Sequence, residues 1–396
     1  MIKLKEEVTR ELTEHILPFW LKLQDKEYGG LYGLVDYDLT VNEEADKSGI
    51  VTARFLWTFS AAYRATGNPE YLEAAKKLFR FLKEKVFDQE FSGLYWLLDY
   101  KGDPKDTRKH VYTQTFGVYS CSEYFMASKD EEALELAKTI YFLIEEKGFN
   151  REINAYCEEF DREWNDMPNQ MLSGNGILAD ITMNTHIHVL EAYTNLYKAW
   201  PAPELQERIE NLLHILHDNI YIQETKFLGV FFDKNWNNLI DVKSFGHDIE
   251  ASWLIDEAIQ TIAIENPAYN QMVIDIAYNI ADCAIEEDGS LVNEQVGNEI
   301  DRTRVWWVQA EAAVGFYNAY ERTGDERFLK LTKGLWDYMK SYLIDKRENG
   351  EWYSAVNPDG QPQKINIADS WKASYHNGRF CLEFMKRTRT IERFSG

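Results

Sequence analysis

The chain has 396 residues, 45% of them apolar and 28% charged, a composition that counts against a disordered protein and supplies a large core. Forty-three Lys and Arg against 66 Asp and Glu leave a formal charge of −23, a surface that repels phosphate backbones and anionic lipid. Nucleic acid and membrane surfaces are therefore disfavoured as partners, and a neutral small molecule is the expected one.

The chain opens with "MIKLKEEVTRELTEHILPFW" (1–20), which is amphipathic and charged and has no continuous apolar stretch. No signal peptide or membrane span is visible there or later, so a cytoplasmic location is expected. Four scattered cysteines (Cys121, Cys157, Cys283, Cys381) lack metal-site spacing and are expected as free thiols in a reducing compartment. A monomer is expected.

An internal repeat follows. "YRATGNPEYL" (63–72) returns as "YERTGDERFL" (320–329). In each, a Gly stands where a helix end needs a positive φ, and the next Asn or Asp can cap the following helix. Between such helical hairpins lie six short strand-like segments. They are "GGLYGLV" (29–35), "SGLYWLL" (92–98), "NAYCEEF" (154–160), "FLGVFFD" (227–233), "GSLVNEQ" (289–295) and "GEWYSAV" (350–356). After each comes a polar loop and then an apolar helix start.

Those six helices ("TARFLWTFSAAY", "YTQTFGVYSCSEY", "NTHIHVLEAYTNLY", "HDIEASWLIDEAI", "VWWVQAEAAVGFYNAY", "WKASYHNGRFCLEF") are apolar on all sides. Their partners, such as "EYLEAAKKLFRFLKEKVF", are amphipathic with charged outer faces. Two concentric rings satisfy both patterns. The expected fold is all-α, an (α/α)6 barrel of six inner and six outer helices, with short β-hairpin loops at one mouth. The N-terminal helix closes the circle against the last inner helix, and residues 1–396 form a single catalytic domain. An open solenoid is disfavoured, because its concave face would leave the inner helices exposed.

The inner-helix starts ring one mouth of such a barrel, and polar residues in a dry lumen need a reason. In chain order they offer Arg54; Tyr112 and Gln114; Asn184, His186 and His188; His247 and Glu250; Trp306, Trp307 and Glu311; Trp371 and His376. Asn184, His188, Glu191 and Asn195 share one helical face, a polar stripe expected to look into the lumen. His186 lies about 200° around the axis from His188 at 3.6 residues per turn, so the two cannot clasp one ion. No metal is expected, and His186 is read as a packed histidine. His247 and Glu250 stand at i, i+3, a spacing at which the carboxylate could orient the imidazole. His376 and Arg379 have the same spacing.

Histidines titrate near neutrality, so a pair can remove a proton and return one. A guanidinium such as Arg54 can stabilise the enediolate formed by abstraction α to a carbonyl. Tryptophans give platforms for sugar rings. His247 and His376, on different helices, supply two positions for inversion at a carbon. A glycoside hydrolase using Glu250 and Glu311 remains open, although it leaves the histidines unexplained. A non-catalytic carbohydrate-binding barrel explains the tryptophans alone.

The segments "TARFLWTFSAAY", "KHVYTQTFGVYS", "MNTHIHVLEAYTNLY", "GHDIEASWL", "WWVQAEA" and "SWKASYHNGR", in that order along essentially the whole chain, resemble the N-acylglucosamine 2-epimerase superfamily. The resemblance implies an (α/α)6 barrel that needs no cofactor. It also implies epimerisation at C2 of the reducing-end glucose of β-1,4-linked disaccharides such as cellobiose, through ring opening and a cis-enediol. By that resemblance His376 is the base, His247 the partner acid, His188 a supporting hydrogen-bonder and Arg54 the enediolate stabiliser. Glu250 and Glu311 are supporting carboxylates. Trp307, Trp371, Trp306, Trp253, Tyr112, Phe116 and Asn184 are substrate-binding positions. N-acylglucosamine epimerisation and mannose-type aldose–ketose isomerisation are the alternatives within the same fold.

Overall fold

A computed structural model of the chain describes residues 2–170, 172 and 177–394. Among these residues twelve helices alternate between two rings. The inner ring is α2 (Gly49–Thr66), α4 (Val111–Ser128), α6 (Met183–Ala199), α8 (Phe245–Ile262), α10 (Trp306–Thr323) and α12 (Tyr375–Phe394). The outer ring is α1 (residues 2–22), α3 (Pro69–Phe81), α5 (Glu131–Leu143), α7 (Pro203–Ile215), α9 (Pro267–Cys283) and α11 (Glu326–Tyr338). This is the expected (α/α)6 architecture. Among the described residues no helix is long and apolar enough to cross a membrane.

Burial follows the two sequence patterns. In α2 every residue from Gly49 to Ser60 is buried, as a helix covered on all sides must be. In α3 the buried positions are Tyr71, Ala74, Ala75, Leu78, Phe79 and Phe81, one side at helical spacing. The tight turns between rings also form as read. Gly67 and Gly324 sit at φ of 75° and 71°, and Asn68 and Asp325 then accept from Glu70 N–H and Arg327 N–H.

The strand-like segments stitch the repeats together. A two-residue strand just before each of the first five inner helices pairs antiparallel with the hairpin of the following repeat. Lys47–Ser48 pair with Leu97–Leu98, Lys109–His110 with Glu159–Phe160, and Ile181–Thr182 with Phe231–Phe232. Val242–Lys243 pair with Gln295 and Val296, and Arg304–Val305 with Ala355–Val356. An antiparallel bridge between Ala368 and Val35 brings the last repeat back to the first. The circle is sealed outside by Trp20 Nε1 donating to Glu351 (3.2 Å) and Trp352 Nε1 to Glu11 (2.7 Å), while α12 packs against both α1 and α2.

A second device fixes how deeply each helix start is seated. The fourth residue of four inner helices bonds to the backbone of the hairpin preceding it. Gln114 exchanges both amide bonds with Leu94 (2.6 and 2.9 Å), and Gln309 does the same with Leu291 (2.8 and 2.7 Å). Asp248 accepts from Leu228 N–H at 2.7 Å. The fourth clamp is His186, whose Nε2 accepts from Tyr156 N–H (3.1 Å) while Nδ1 donates to the Thr182 carbonyl (2.8 Å). Both ring nitrogens are consumed by backbone, which makes His186 a neutral structural imidazole. Burial pushes its pKa down to about 4.

His186→Leu therefore leaves the Tyr156 N–H buried and unpaired, and is expected to cost about 1–3 kcal/mol in chemical denaturation. Because the folded pKa lies below the unfolded one, wild-type stability is unaffected by this group at high pH. It declines as the pH falls from the ordinary histidine value toward about 4. An unchanged denaturation midpoint in the Leu variant at pH 7 would contradict the clamp.

Candidate active site

Three imidazoles face one another from three inner helices, and each is backed by a different group. His376, in the first turn of α12, has Nδ1 2.7 Å from Glu311 Oε1 on α10. His188, in α6, has Nδ1 2.8 Å from Glu191 Oε2 one turn further along the same helix. An ionised carboxylate only accepts, so Glu191, and Glu311 wherever it is ionised, put the hydrogen on Nδ1 and leave Nε2 its lone pair. His247, at the start of α8, has Nδ1 2.7 Å from Ser244 Oγ. A hydroxyl can accept or donate, so this ring can change tautomer or charge without losing its partner.

The expected His247–Glu250 pairing does not form. Glu250 Oε1 instead receives the Arg379 guanidinium, and Ser244 in the preceding turn takes its place behind His247. Local spacing allowed the pair, but a buried carboxylate is drawn to a buried cation first.

The indole of Trp307 stands between two of the histidines, with its ring 4.6 Å from His247 and 5.6 Å from His376. It fits there because residue 246 is glycine; a Cβ at Gly246 would come within 2.8 Å of the indole. Trp306 lies 6.4 Å from His376, with the Lys372 ammonium 5.6 Å from its ring. At the rim, Trp371 is 39% exposed and packs edge-on to Trp96 at 5.3 Å. Asn184 is half-buried at the head of α6, and its Oδ1 has no hydrogen-bond partner among the described residues.

Arg54 enters from α2. Its terminal nitrogens donate to the Trp371 carbonyl and the Tyr112 hydroxyl, both at 2.9 Å, and its guanidinium lies 4.4 Å from the Phe116 ring. Both acceptors are neutral, and among the described residues it makes no ion pair. Its positive charge stays available to an incoming anion. Phe116 also packs 5.3 Å from His188, so it lies behind the polar groups rather than open to the mouth.

Below the histidines sits a fully buried charge cluster that sequence reasoning did not assign. Arg379 binds Glu191, Glu250 and Glu311 together, the last at 2.7 Å. Its guanidinium lies 4.8 Å from the Trp253 ring and 4.3 Å from Tyr375. Tyr375 donates to Glu191 at 2.5 Å, and Trp253 Nε1 donates to Glu311 at 3.1 Å. Trp253 thus braces a carboxylate from inside the wall. The available signals were the Glu191 position on the polar stripe and the His376–Arg379 spacing; neither indicates partners on other helices. Glu250, Glu311 and His376 bring ligand atoms within 4.8 Å of one another, as a metal site would, but the Arg379 cation already bonds both carboxylates and opposes a second one.

The electrostatics follow from dryness and crowding. Burial, then the neighbouring carboxylates, push Glu250 to about 7, with Arg379 opposing. Burial pushes Glu311 to about 7 as well, again against Arg379. Glu191 is held at about 2, because Arg379 and His188 outweigh its desolvation. Burial, then the Arg379 and Arg54 cations, depress His376 well below the usual histidine value. His247 falls to about 3 through burial and His188. This leaves His247 and His376 neutral at physiological pH, with His376 aligned by a carboxylate to accept a proton at Nε2. Behind the cluster, at the other end of the lumen, is a cavity of about 340 Å³ whose walls include Glu191, Trp253, Trp57, Tyr119 and Asn195.

The chain from residue 29 to residue 378 matches the family model described as N-acylglucosamine 2-epimerase. It is 46% identical to the cellobiose 2-epimerase of Ruminococcus albus over 384 residues, 96% of this chain and 98% of that protein. It superposes on the cellobiose 2-epimerase of Bacillus thermoamylovorans with a TM-score of 0.97 and 56% identity, covering 98% of this chain and 100% of the other. For the cellobiose 2-epimerase of Spirochaeta thermophila the TM-score is 0.91 at 39% identity, with 98% and 97% covered.

Glu250 and Glu311 are expected to take up protons as the pH falls through about 7, rather than at the ordinary carboxylate value. The side-chain carboxyl 13C shifts, assigned by Glu250→Gln and Glu311→Gln, follow this directly. Titration of both near 4.5 would contradict the buried charge cluster.

Proposed function

This chain belongs to the N-acylglucosamine 2-epimerase family, and we propose that it inverts C2 of the reducing-end glucose or mannose of a β-1,4-linked disaccharide, cellobiose being the reference substrate. The observation that carries the proposal is the pair of imidazoles on α8 and α12, each in ring contact with Trp307 and each backed by a different group. Inversion at carbon needs one group to remove a proton and a second to deliver one elsewhere, and a hydrolase has no use for that pair.

In this reading the reducing-end ring opens in the mouth, with His188 as a hydrogen-bonding partner. His376 Nε2 takes the C2 proton, and the resulting imidazolium is stabilised by Glu311, which already accepts from its Nδ1. Negative charge develops on the enediolate oxygens, where Arg54 supplies a cation without a carboxylate partner. His376 then passes its proton to an enediolate oxygen. His247, neutral at rest, takes a hydroxyl proton from the enediol and, after rotation about C2–C3, delivers it to the other face of C2, so both imidazoles end as they began. Ser244 follows that change by switching between donor and acceptor. Trp307 and Trp371 offer faces to the two sugar rings.

Incubation with cellobiose in D2O is expected to give glucosylmannose deuterated at C2 of the reducing-end residue, read by NMR. Free glucose as the main product would support the hydrolase reading, and deuterium at C1 of a ketose the isomerase. His376→Ala and His247→Ala should each lower kcat by about 10²–10⁴-fold. Full activity in either variant defeats the two-histidine assignment.

A further inference from the structure

Arg379 has an unusual position for a residue so close to the chemistry. It is 1% exposed, so it cannot touch a sugar in the mouth. Its two terminal nitrogens reach carboxylates on three different helices, Glu191 of α6, Glu250 of α8 and Glu311 of α10. Two of those carboxylates, Glu191 and Glu311, are the groups that hold Nδ1 of His188 and His376. One side chain therefore stands behind both histidine–carboxylate pairs.

We infer that Arg379 is a positioning residue: by binding Glu191, Glu250 and Glu311 at once, it keeps His376 and His188 oriented, with Nδ1 bonded and Nε2 free for the substrate. The inference rests on the proposed epimerase reading. The geometry gives three reasons. The planar fork matches several carboxylate oxygens at fixed directions, which a point-charge ammonium cannot do. The face contacts with Trp253 and Tyr375 hold the plane of the fork, and both rings also bond the carboxylates themselves. Without a cation, Glu250 and Glu311 would repel each other in a dry wall, and the Glu311 carboxylate would turn away or take up a proton. A protonated Glu311 no longer serves as a pure acceptor for His376.

The groups that face His376 are Glu311 on α10, Arg54 on α2, His188 on α6, and His247 and Glu250 on α8, besides Arg379 on its own helix. Removing the Arg379 charge withdraws a cation from beside His376, which raises the proton affinity of the ring.

The test compares Arg379→Gln, which loses charge and fork, with Arg379→Lys, which keeps the charge and loses the fork. Two readings are taken: kcat and KM on cellobiose, and the titration of the His376 ring Cε1–H by NMR. Arg379→Gln is expected to lower kcat about 100-fold with little change in KM, the size of a small misplacement of a reacting group. It should also move the His376 titration clearly upward. Arg379→Lys is expected to lower kcat while leaving that titration near the wild-type position. A folded Gln variant with unchanged kcat and titration, or one in which only KM rises, overturns the inference.

If the Gln variant does not fold, the double variant Arg379→Gln/Glu191→Gln removes one charge of each sign and is read in the same way. Failure of all three variants to fold would make Arg379 a stability residue and also overturn it. The ring titration needs no turnover. Absence of C2 exchange in the wild type would therefore defeat the epimerase reading by itself, while the titrations still decide the role of Arg379.

Discussion

The arrangement depends on how each inner helix is held at its first turn. A helix covered on all sides by apolar neighbours can slide or rotate among them at modest cost, since dispersion and burial are not directional. The directional terms are supplied at the mouth. The strand pairing before five of the inner helices fixes their height against the next repeat, and the clamps at Gln114, His186, Asp248 and Gln309 fix four of them against their own hairpins. His188 stands two residues beyond one clamp, Glu250 two beyond another and Glu311 two beyond a third. The functional groups inherit their positions from backbone hydrogen bonds.

On that frame the charges divide into two kinds of cation. Among the described residues Arg54 is bonded only to neutral oxygens, so its field is directed toward whatever anion develops in the mouth. Arg379 is overcommitted, with three carboxylates for one guanidinium, so its field is spent inside the wall. A dry site can hold both because they do different jobs, one stabilising charge that appears during reaction and the other balancing charge that is always there.

Much of this was readable from the chain. The two rings followed from all-round apolar helices beside amphipathic ones, the hairpin turns from Gly67–Asn68 and Gly324–Asp325, and the mouth from rare polar residues at matching points of successive repeats. His186 and His188 separated by helical angle alone, and the structure places them on unrelated partners. What could not be read was pairing between helices. His376 and Glu311 are 65 residues apart, and no local spacing connects them. The same i, i+3 rule that holds for His188 and Glu191 fails for His247 and Glu250, because a cation arriving from α12 competes for the carboxylate. Arg379 was visible only as a neighbour of His376; its reach to α6, α8 and α10 is a property of the closed circle.

The cavity behind the charge cluster changes what kind of vessel the barrel is. Glu191 and Trp253 line it on one side and support the histidine side on the other. The lumen is recessed at both ends, and the charge cluster with the rings packed on Arg379 forms the partition between them. The dryness around Glu250 and Glu311 depends on the core and also on that partition. Its watertightness is a design variable in its own right, set by the fit of a few rings around Arg379 rather than by how many apolar residues surround them.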